Sequence, residues 1–271
     1  MKSKDLIKKI SPPLLLDLIR PKNRYGFTGN YKTWSEASLH SRGYNDPKIL
    51  EKIKIAALKV KNGEAAYERD SVLFYESDYV WPLLASLLWI AGQNNNALNV
   101  LDFGGSLGST YFQHRNFLKH LAFLKWNIVE QENFVKYGKE LFEDEHLKFF
   151  CTIEECLADN KIDVLLASSV IQYIEKPYEL LEKIIRLRFE CILFDRTPFW
   201  EEKDRLTIQK VPPRIYDASY PAWIMNVVLF KEFFTKSGYN LLAESDQGTM
   251  IYNSKEGLVK LKNFIFMKCS N

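Results

Sequence analysis

A strand that runs into a glycine turn and then a helix constrains this chain more than any other stretch. Asn99-Val-Leu-Asp-Phe103 is a short apolar strand, and Gly104-Gly105-Ser106-Leu107-Gly108 is the turn. A helix is predicted from about Ser109, with Tyr111, Leu118, Leu121 and Ala122 on one side. The pattern then repeats, with strands predicted over residues 126–129, 147–150, 163–167 and 191–194. Helices are predicted between them over residues 133–142 and from Pro177, a residue favoured at the first helical position. Such alternation implies an α/β chain: a Rossmann-like, doubly wound, mostly parallel sheet with right-handed crossovers. A helix near residues 230–236 comes next. Strands over 239–243 and 261–268 then predict an antiparallel pair at one edge.

The 271 residues divide at Gly92-Gln-Asn-Asn-Asn96, which reads as a surface linker. Residues 25–92 are expected to form an N-terminal helical cap, and 93–271 the sheet domain. Within the cap, Ile49, Leu50, Ile53, Ala57 and Val60 recur at helical spacing over residues 47–61, and a second helix follows Tyr79. Residues 1–24 form a basic, amphipathic leader with seven bases and two acids. Such a segment suits peripheral contact with an anionic membrane surface, or else packs on its own domain. The net charge of the whole chain is only +3, which does not describe a nucleic-acid binder. No run approaches the roughly 20 apolar residues of a membrane span. Cys151, Cys156, Cys191 and Cys269 form no CxxC pair, so reduced thiols in a cytosolic protein are expected. His114, His120 and His146 lack metal-ligand spacing, and no metal is expected.

In open parallel sheets, ligands bind at the carboxyl ends of the strands where strand order reverses. Glycines let the turn bend tightly and come close to a ligand, and the helix after it offers unpaired N–H groups to a carboxylate. Glu130, ending the second strand with Gln131 beside it, is placed to accept hydrogen bonds from both hydroxyls of a ribose. Together they suit an adenosyl ligand. The dinucleotide spacing G-x-G-x-x-G fails from Gly104, because residues 106 and 109 are serine, and from Gly105, because residue 107 is leucine. Asp102, two residues before the first glycine, suits a ligand with a cationic amino group, such as S-adenosylmethionine (SAM).

The run Asp102-Phe-Gly104-Gly105-Ser106-Leu-Gly108 resembles the first motif of class I SAM-dependent methyltransferases, with Ser106 in place of the middle glycine. Asp163-Val-Leu-Leu-Ala-Ser-Ser-Val-Ile-Gln-Tyr173 is similar to that family's post-strand motif. The resemblance implies that Ser168 and Ser169 lie beside the methionine part of SAM, and Gln172 and Tyr173 near the reacting centre. A narrower resemblance covers most of the chain. It runs through Tyr25-Gly-Phe, Gly29, Trp34-Ser-Glu-Ala37, Gly43-Tyr44 and Tyr67-Glu-Arg-Asp-Ser-Val-Leu-Phe74. It continues through Arg196-Thr-Pro198, Gln209-Lys-Val-Pro-Pro213 and Tyr220-Pro-Ala-Trp223. These look like a family of bacterial methyltransferases, without an assigned acceptor, found among surface-polysaccharide gene clusters. That implies a methyl acceptor such as a saccharide or carrier-linked glycan; the basic leader would hold the enzyme near the inner membrane face, where such glycans are assembled.

Methyl transfer to a hydroxyl gains from a general base. Asp195, ending the fifth strand on the ligand side, is one candidate. Asp70 is another, with Arg69 as a substrate contact, although the two read equally as a capping or salt-bridging pair. His40, in the Trp34 to Tyr44 motif, is the histidine candidate. Residues 196–226 read as a long lid loop carrying acceptor contacts from Arg196, Tyr216, Tyr220 and Trp223. Two other readings stay open: a nucleotide-sugar oxidoreductase or epimerase on a Rossmann sheet, and a non-catalytic binding subunit.

Overall fold

A computed structural model describes residues 25–42, 47–212, 215, 217–251 and 258–269. The leader, Gly43-Tyr44, Pro213 and Tyr216 lie outside the described residues. In chain order the elements begin with β1 (Gly26–Tyr31), α1 (Trp34–Leu39), α2 (Pro47–Lys61), β2 (Tyr67–Arg69), β3 (Val72–Phe74) and α3 (Trp81–Gln93). Then come β4 (Ala97–Phe103), α4 (Ser109–Leu118), β5 (Phe123–Val129), α5 (Glu132–Leu141), β6 (Leu147–Phe150) and α6 (Ile153–Asp159). They are followed by β7 (Val164–Ser168), a 3-10 turn (Ile171–Tyr173), α7 (Pro177–Arg186), β8 (Cys191–Trp200) and β9 (Arg205–Lys210). The last are β10 (Ser219–Asn226), α8 (Val227–Lys236), β11 (Tyr239–Ile251) and β12 (Leu258–Lys268).

Five parallel strands in the order β6-β5-β4-β7-β8 make the centre of the sheet. The sequence moves outward from β4 in both directions, so strand order reverses between β4 and β7. Strands β11 and β12 pair antiparallel, and β12 lies antiparallel along β8. The Rossmann-like arrangement with an antiparallel hairpin at its edge is therefore present. Central strands buried on both faces need apolar cover on each side. One layer comes from α2, α3, α4 and α5, packed on Val100, Trp126, Ile128 and Leu166. The other comes from α6, α7 and α8, packed on Leu101, Leu165, Ile192 and Phe194.

Residues 25–92 depart from a helical cap. Strand β1 joins the main sheet through β9, and α2 and α3 share one core with α4. The cause lies in their sequences. The stripe Ile49, Ile53, Ala57 and Val60 on α2 and the almost wholly apolar α3 must be buried, and the open sheet face is the surface on offer. Residues 196–226 differ as well. Strand β8 continues to Trp200, and β9 and β10 form an antiparallel pair, so this stretch is mostly strand and not loop.

A bulge divides β8. Phe194 faces Phe264 and Thr197 faces Lys262, so Asp195 and Arg196 together oppose Asn263 alone. Arg196 takes φ +50°, and its N–H donates to Asn263 Oδ1 at 3.0 Å. Bulges bend a strand and re-aim its side chains. Beyond the bulge, Phe199 and Trp200 pair with Met225 and Asn226 of β10. One edge of β8 is taken there by β12, so β10 occupies the edge that β7 uses lower down. The three-stranded flap β1-β9-β10 thus stands over the carboxyl end of β7. No helix among the described residues is long and apolar enough to cross a membrane.

Candidate active site

The carboxyl ends of β4, β5, β7 and β8 open into a cleft of about 1130 Å³, closed over by the flap and the β2–β3 hairpin. Its floor is the turn after β4. Gly104 has φ +71°, and a Cβ there would lie 2.4 Å from Val170 Cγ2. A Cβ on Gly105 would lie 2.6 Å from the Asp102 carboxyl carbon. Only glycine fits either position, and Ser106 follows in the left-handed region at φ +54°. Gly108, at φ +97°, is the N-cap of α4 and packs against Phe112 away from the cleft wall. Gly104, Gly105, Ser106, Glu130, Gln131, Ser168, Ser169 and Gln172 all line the cleft. The expected cofactor residues are thereby brought together, apart from Gly108 and Asp102.

Asp102 lies beneath the turn. It is fully buried, and its Oδ2 accepts from Trp126 Nε1 at 2.9 Å. Burial pushes its carboxyl up to about 7. It supports Gly105 from below and offers the cleft no surface, so a direct ligand contact is not what the packing provides. Glu130 does face the cleft. Its Oε2 accepts from the Gln131 N–H at 2.7 Å, and burial raises its proton affinity. Gln172 donates to Ser169 Oγ at 2.9 Å, while its own carbonyl oxygen is buried without a partner among the described residues.

The opposite wall is polar and aromatic. Ser168 Oγ donates to Asp195 Oδ2 at 2.6 Å, and Arg196 Nε donates to the same oxygen at 3.0 Å. Arg196 Nη2 also donates to Ser168 Oγ at 2.9 Å. Asp195 is almost wholly buried and does not line the cleft. It holds Arg196 in place and is badly placed to take a proton from an acceptor. Asp70, by contrast, opens onto the cleft from the β2–β3 hairpin. Arg69 pairs with Val72 across a two-residue turn, with Asp70 at φ +51° and Ser71 at φ +65°. That is the backbone of a type I′ turn, which normally selects Asn-Gly. Burial raises the proton affinity of Asp70, against the pull of Arg196 and Arg69.

Strain concentrates here. Of the eight non-glycine residues at positive φ among those described, four (Asp70, Ser106, Ser169 and Arg196) line this one cleft. Such residues persist where the surrounding structure over-determines them, typically at functional sites.

Tyr173 and Tyr220 meet edge to face with ring centroids 5.1 Å apart on the cleft wall. Tyr173 Oη donates to Gln209 Oε1 at 2.7 Å, and burial pushes its phenol up to about 12. Two expected contacts fall outside the lining. Trp223 donates its Nε1–H to the Glu175 carbonyl at 3.2 Å. His40 caps α1, with Nδ1 3.0 Å from the Glu36 carbonyl, and is exposed. Its ring is spent on its own helix, because a histidine just past the last turn finds that helix's free carbonyls first.

Glu68 was not singled out from the sequence, yet it lines the cleft at 3% exposure. Its Oε1 accepts from the Ser109 hydroxyl at the start of α4, and its Oε2 from the Ser71 N–H at 3.0 Å. It therefore ties the strained hairpin to the helix that follows the glycine turn. The signal was the Glu68-Arg-Asp-Ser71 run itself, a dense polar cluster beside aromatic residues. Gln209 was likewise present in a quoted motif without a role.

No family model matches this sequence, and no curated protein matches it. Among solved structures, it is similar to the N-terminal domain of EvdMO1 crystallised with S-adenosylhomocysteine and D-fucose. That pairing has a TM-score of 0.48 and 11% identity, covering 83% of this chain and 100% of that one. It is also similar to magnesium protoporphyrin IX methyltransferase from Synechocystis PCC 6803 with bound SAM. There the TM-score is 0.44 and the identity 13%, covering 83% of this chain and 86% of that one. A SAM-dependent methyltransferase from Methanosarcina mazei pairs at a TM-score of 0.49 and 9% identity, covering 72% of this chain and 100% of that one.

Proposed function

We propose that this chain is a SAM-dependent methyltransferase that O-methylates a saccharide or carrier-linked glycan intermediate. One observation carries the reading: a single cleft at the strand-order reversal joins the glycine turn and Glu130 to a wall of strained polar residues. The residues fit the cofactor. Glu130 offers a carboxylate to ribose hydroxyls, and the tight turn leaves room for the amino-acid end. Bound there, SAM supplies a methyl group on a positively charged sulfur, open to in-line displacement.

The chain's own contribution is positioning, exclusion of water and removal of a proton. Asp70 is the base in this reading. It is a carboxylate open to the cleft on the acceptor wall, and desolvation raises its proton affinity above that of a free carboxylate, the direction a base requires. Asp195 acts through Arg196, which it holds by a charge-assisted hydrogen bond. Tyr173 and Tyr220 offer ring faces to a sugar, and the flap keeps water from the reacting atoms.

Calorimetric titration with S-adenosylhomocysteine tests the cofactor half. Saturable binding is expected, weakened about tenfold or more by Glu130→Ala as one charged hydrogen-bonding partner is lost. Absence of saturable binding to the parent overturns the reading. Release of S-adenosylhomocysteine from SAM in the presence of glycan extracts, abolished by Asp70→Asn, tests the acceptor half.

A further inference from the structure

Two guanidiniums reach the acceptor wall from distant parts of the chain. Arg196 is aimed by the β8 bulge and gripped at Nε and Nη2 by Asp195 and Ser168, and its Nη1 has no hydrogen-bond partner among the described residues. Arg69 lines the same cleft, half-buried. Its guanidinium lies over the Tyr67 ring at 5.8 Å and makes no hydrogen bond or ion pair with any described residue. Burial, and after it the positive charge of Arg196, weakens the hold of Arg69 on its proton. Donors inside a cleft are rarely left without partners. The neighbouring acids do not supply them. Asp195 commits Oδ2 to Arg196 and Ser168 while its Oδ1 is buried and reaches no described residue, and Glu68 commits its two oxygens to Ser109 and Ser71. Asp70 is the acid proposed to meet the acceptor's hydroxyl. Five N–H donors in a rigid planar fork match a carboxylate or a phosphate in two-point fashion.

We infer that the acceptor carries an anionic group, a carboxylate or a phosphate ester, close to the hydroxyl that is methylated, and that Arg69 anchors it with Arg196 alongside. This rests on the methyltransferase reading and narrows it from saccharides in general to acidic ones. The location favours the acceptor over the cofactor. Arg196 lies in β8 at the bulge, two strands from β4 and its glycine turn, a separation of roughly 10 Å at ordinary strand spacing. An anion beside Asp70 would otherwise be repelled, and the two guanidiniums remove that repulsion.

The test is calorimetry on the full chain saturated with S-adenosylhomocysteine, titrated in separate arms with inorganic phosphate and with glucuronate. Saturable binding is expected in at least one arm, and that arm names the anion. Arg69→Gln is expected to weaken it about tenfold or more, and Arg69→Lys, which keeps the charge but not the fork, by a smaller factor. Affinity for S-adenosylhomocysteine and the melting temperature should stay at the parent's values in both variants. If Arg69→Gln melts early, the Arg69→Lys titration decides. Binding of neither anion, or equal binding to parent and variants, overturns the inference. So does a selective loss of S-adenosylhomocysteine affinity, which would assign Arg69 to the cofactor's own carboxylate. If the parent binds no S-adenosylhomocysteine, the methyltransferase reading falls by itself. Titration of the anions alone then still decides whether Arg69 holds one.

Discussion

The two walls of the cleft are built on opposite plans. The wall of Gly104, Gly105, Ser106, Glu130 and Gln131 comes from one continuous stretch, β4 to the start of α5, and shapes its surface mainly with backbone. The facing wall gathers Arg69, Asp70, Arg196, Gln209 and Tyr220 from four places in the chain, the β2–β3 hairpin, β8, β9 and β10, and shapes its surface with side chains. A backbone-built wall suits a ligand that never changes, because its geometry is fixed by glycine turns and strand register. A side-chain wall suits a ligand that differs from one protein to the next, because substitution alters it without moving the sheet. The contrast fits the proposed reading, in which a constant methyl donor lies opposite a variable acceptor.

The largest expected effect probes the foundation of the backbone wall. Asp102 titrates at about 7 in the folded chain, chiefly through burial, against about 4 when unfolded. Between those values the folded state keeps a proton that the unfolded state releases, so stability falls as pH rises from about 4 to 7. At 1.36 kcal/mol per unit, the loss is about 4 kcal/mol. Asp102→Asn keeps an oxygen for Trp126 and has no proton to lose. Urea denaturation at pH 4.5 and 8 should show the parent losing stability that the variant retains. Parallel losses in the two proteins would mean that Asp102 is ionised in the fold and does more than support the turn.

Next in size, Gly104→Ala forces a Cβ into Val170 at a positive φ. A cost of about 2 kcal/mol, or roughly 30-fold in affinity for S-adenosylhomocysteine, is expected. Gly63→Ala is the control. It has φ +78° but nothing within 4 Å of a Cβ, so it should leave ligand affinity intact. Equal effects from both would erase the distinction between the walls, since backbone strain alone would then explain the loss. The smallest effect belongs to the side-chain wall. Ser71→Gly relieves the second left-handed position of the hairpin and should raise stability by about 1 kcal/mol in chemical denaturation. No gain would show that the hairpin is unstrained.

The backbone wall was also the legible one. Strands β4 to β7, the turn between β4 and α4, and the 47–61 helix follow from local patterns, because glycine spacing and apolar periodicity are properties of adjacent residues. The short helix α6 escaped notice, although Thr152 accepts from the Glu155 N–H as a plain N-cap. The prolines of residues 196–226 make β9 and β10 look like loop in the sequence. Pro198 and Pro221 are accommodated within strands, Pro221 opposite Ile208. The bulge at Asp195 and Arg196 has no sequence signature, since it exists only through the register of β12, some 70 residues later. His40 and Trp223 illustrate the converse. Each lies in a distinctive motif, yet each spends its polar atom on a nearby carbonyl. The Glu68-Arg-Asp-Ser71 run marks a polar cluster, but not which acid is buried, because a buried carboxylate looks like any surface acid until its two partners are folded against it.

The flap holds to the central sheet by little backbone: β10 pairs with β8 only at Met225 with Phe199 and Asn226 with Trp200. A graft so lightly stitched is an easy place for evolution, or an engineer, to work. If the proposed function holds, exchanging residues 201–224 for a flap of another shape changes which molecule is modified, while the donor's seat passes unaltered from parent to chimera.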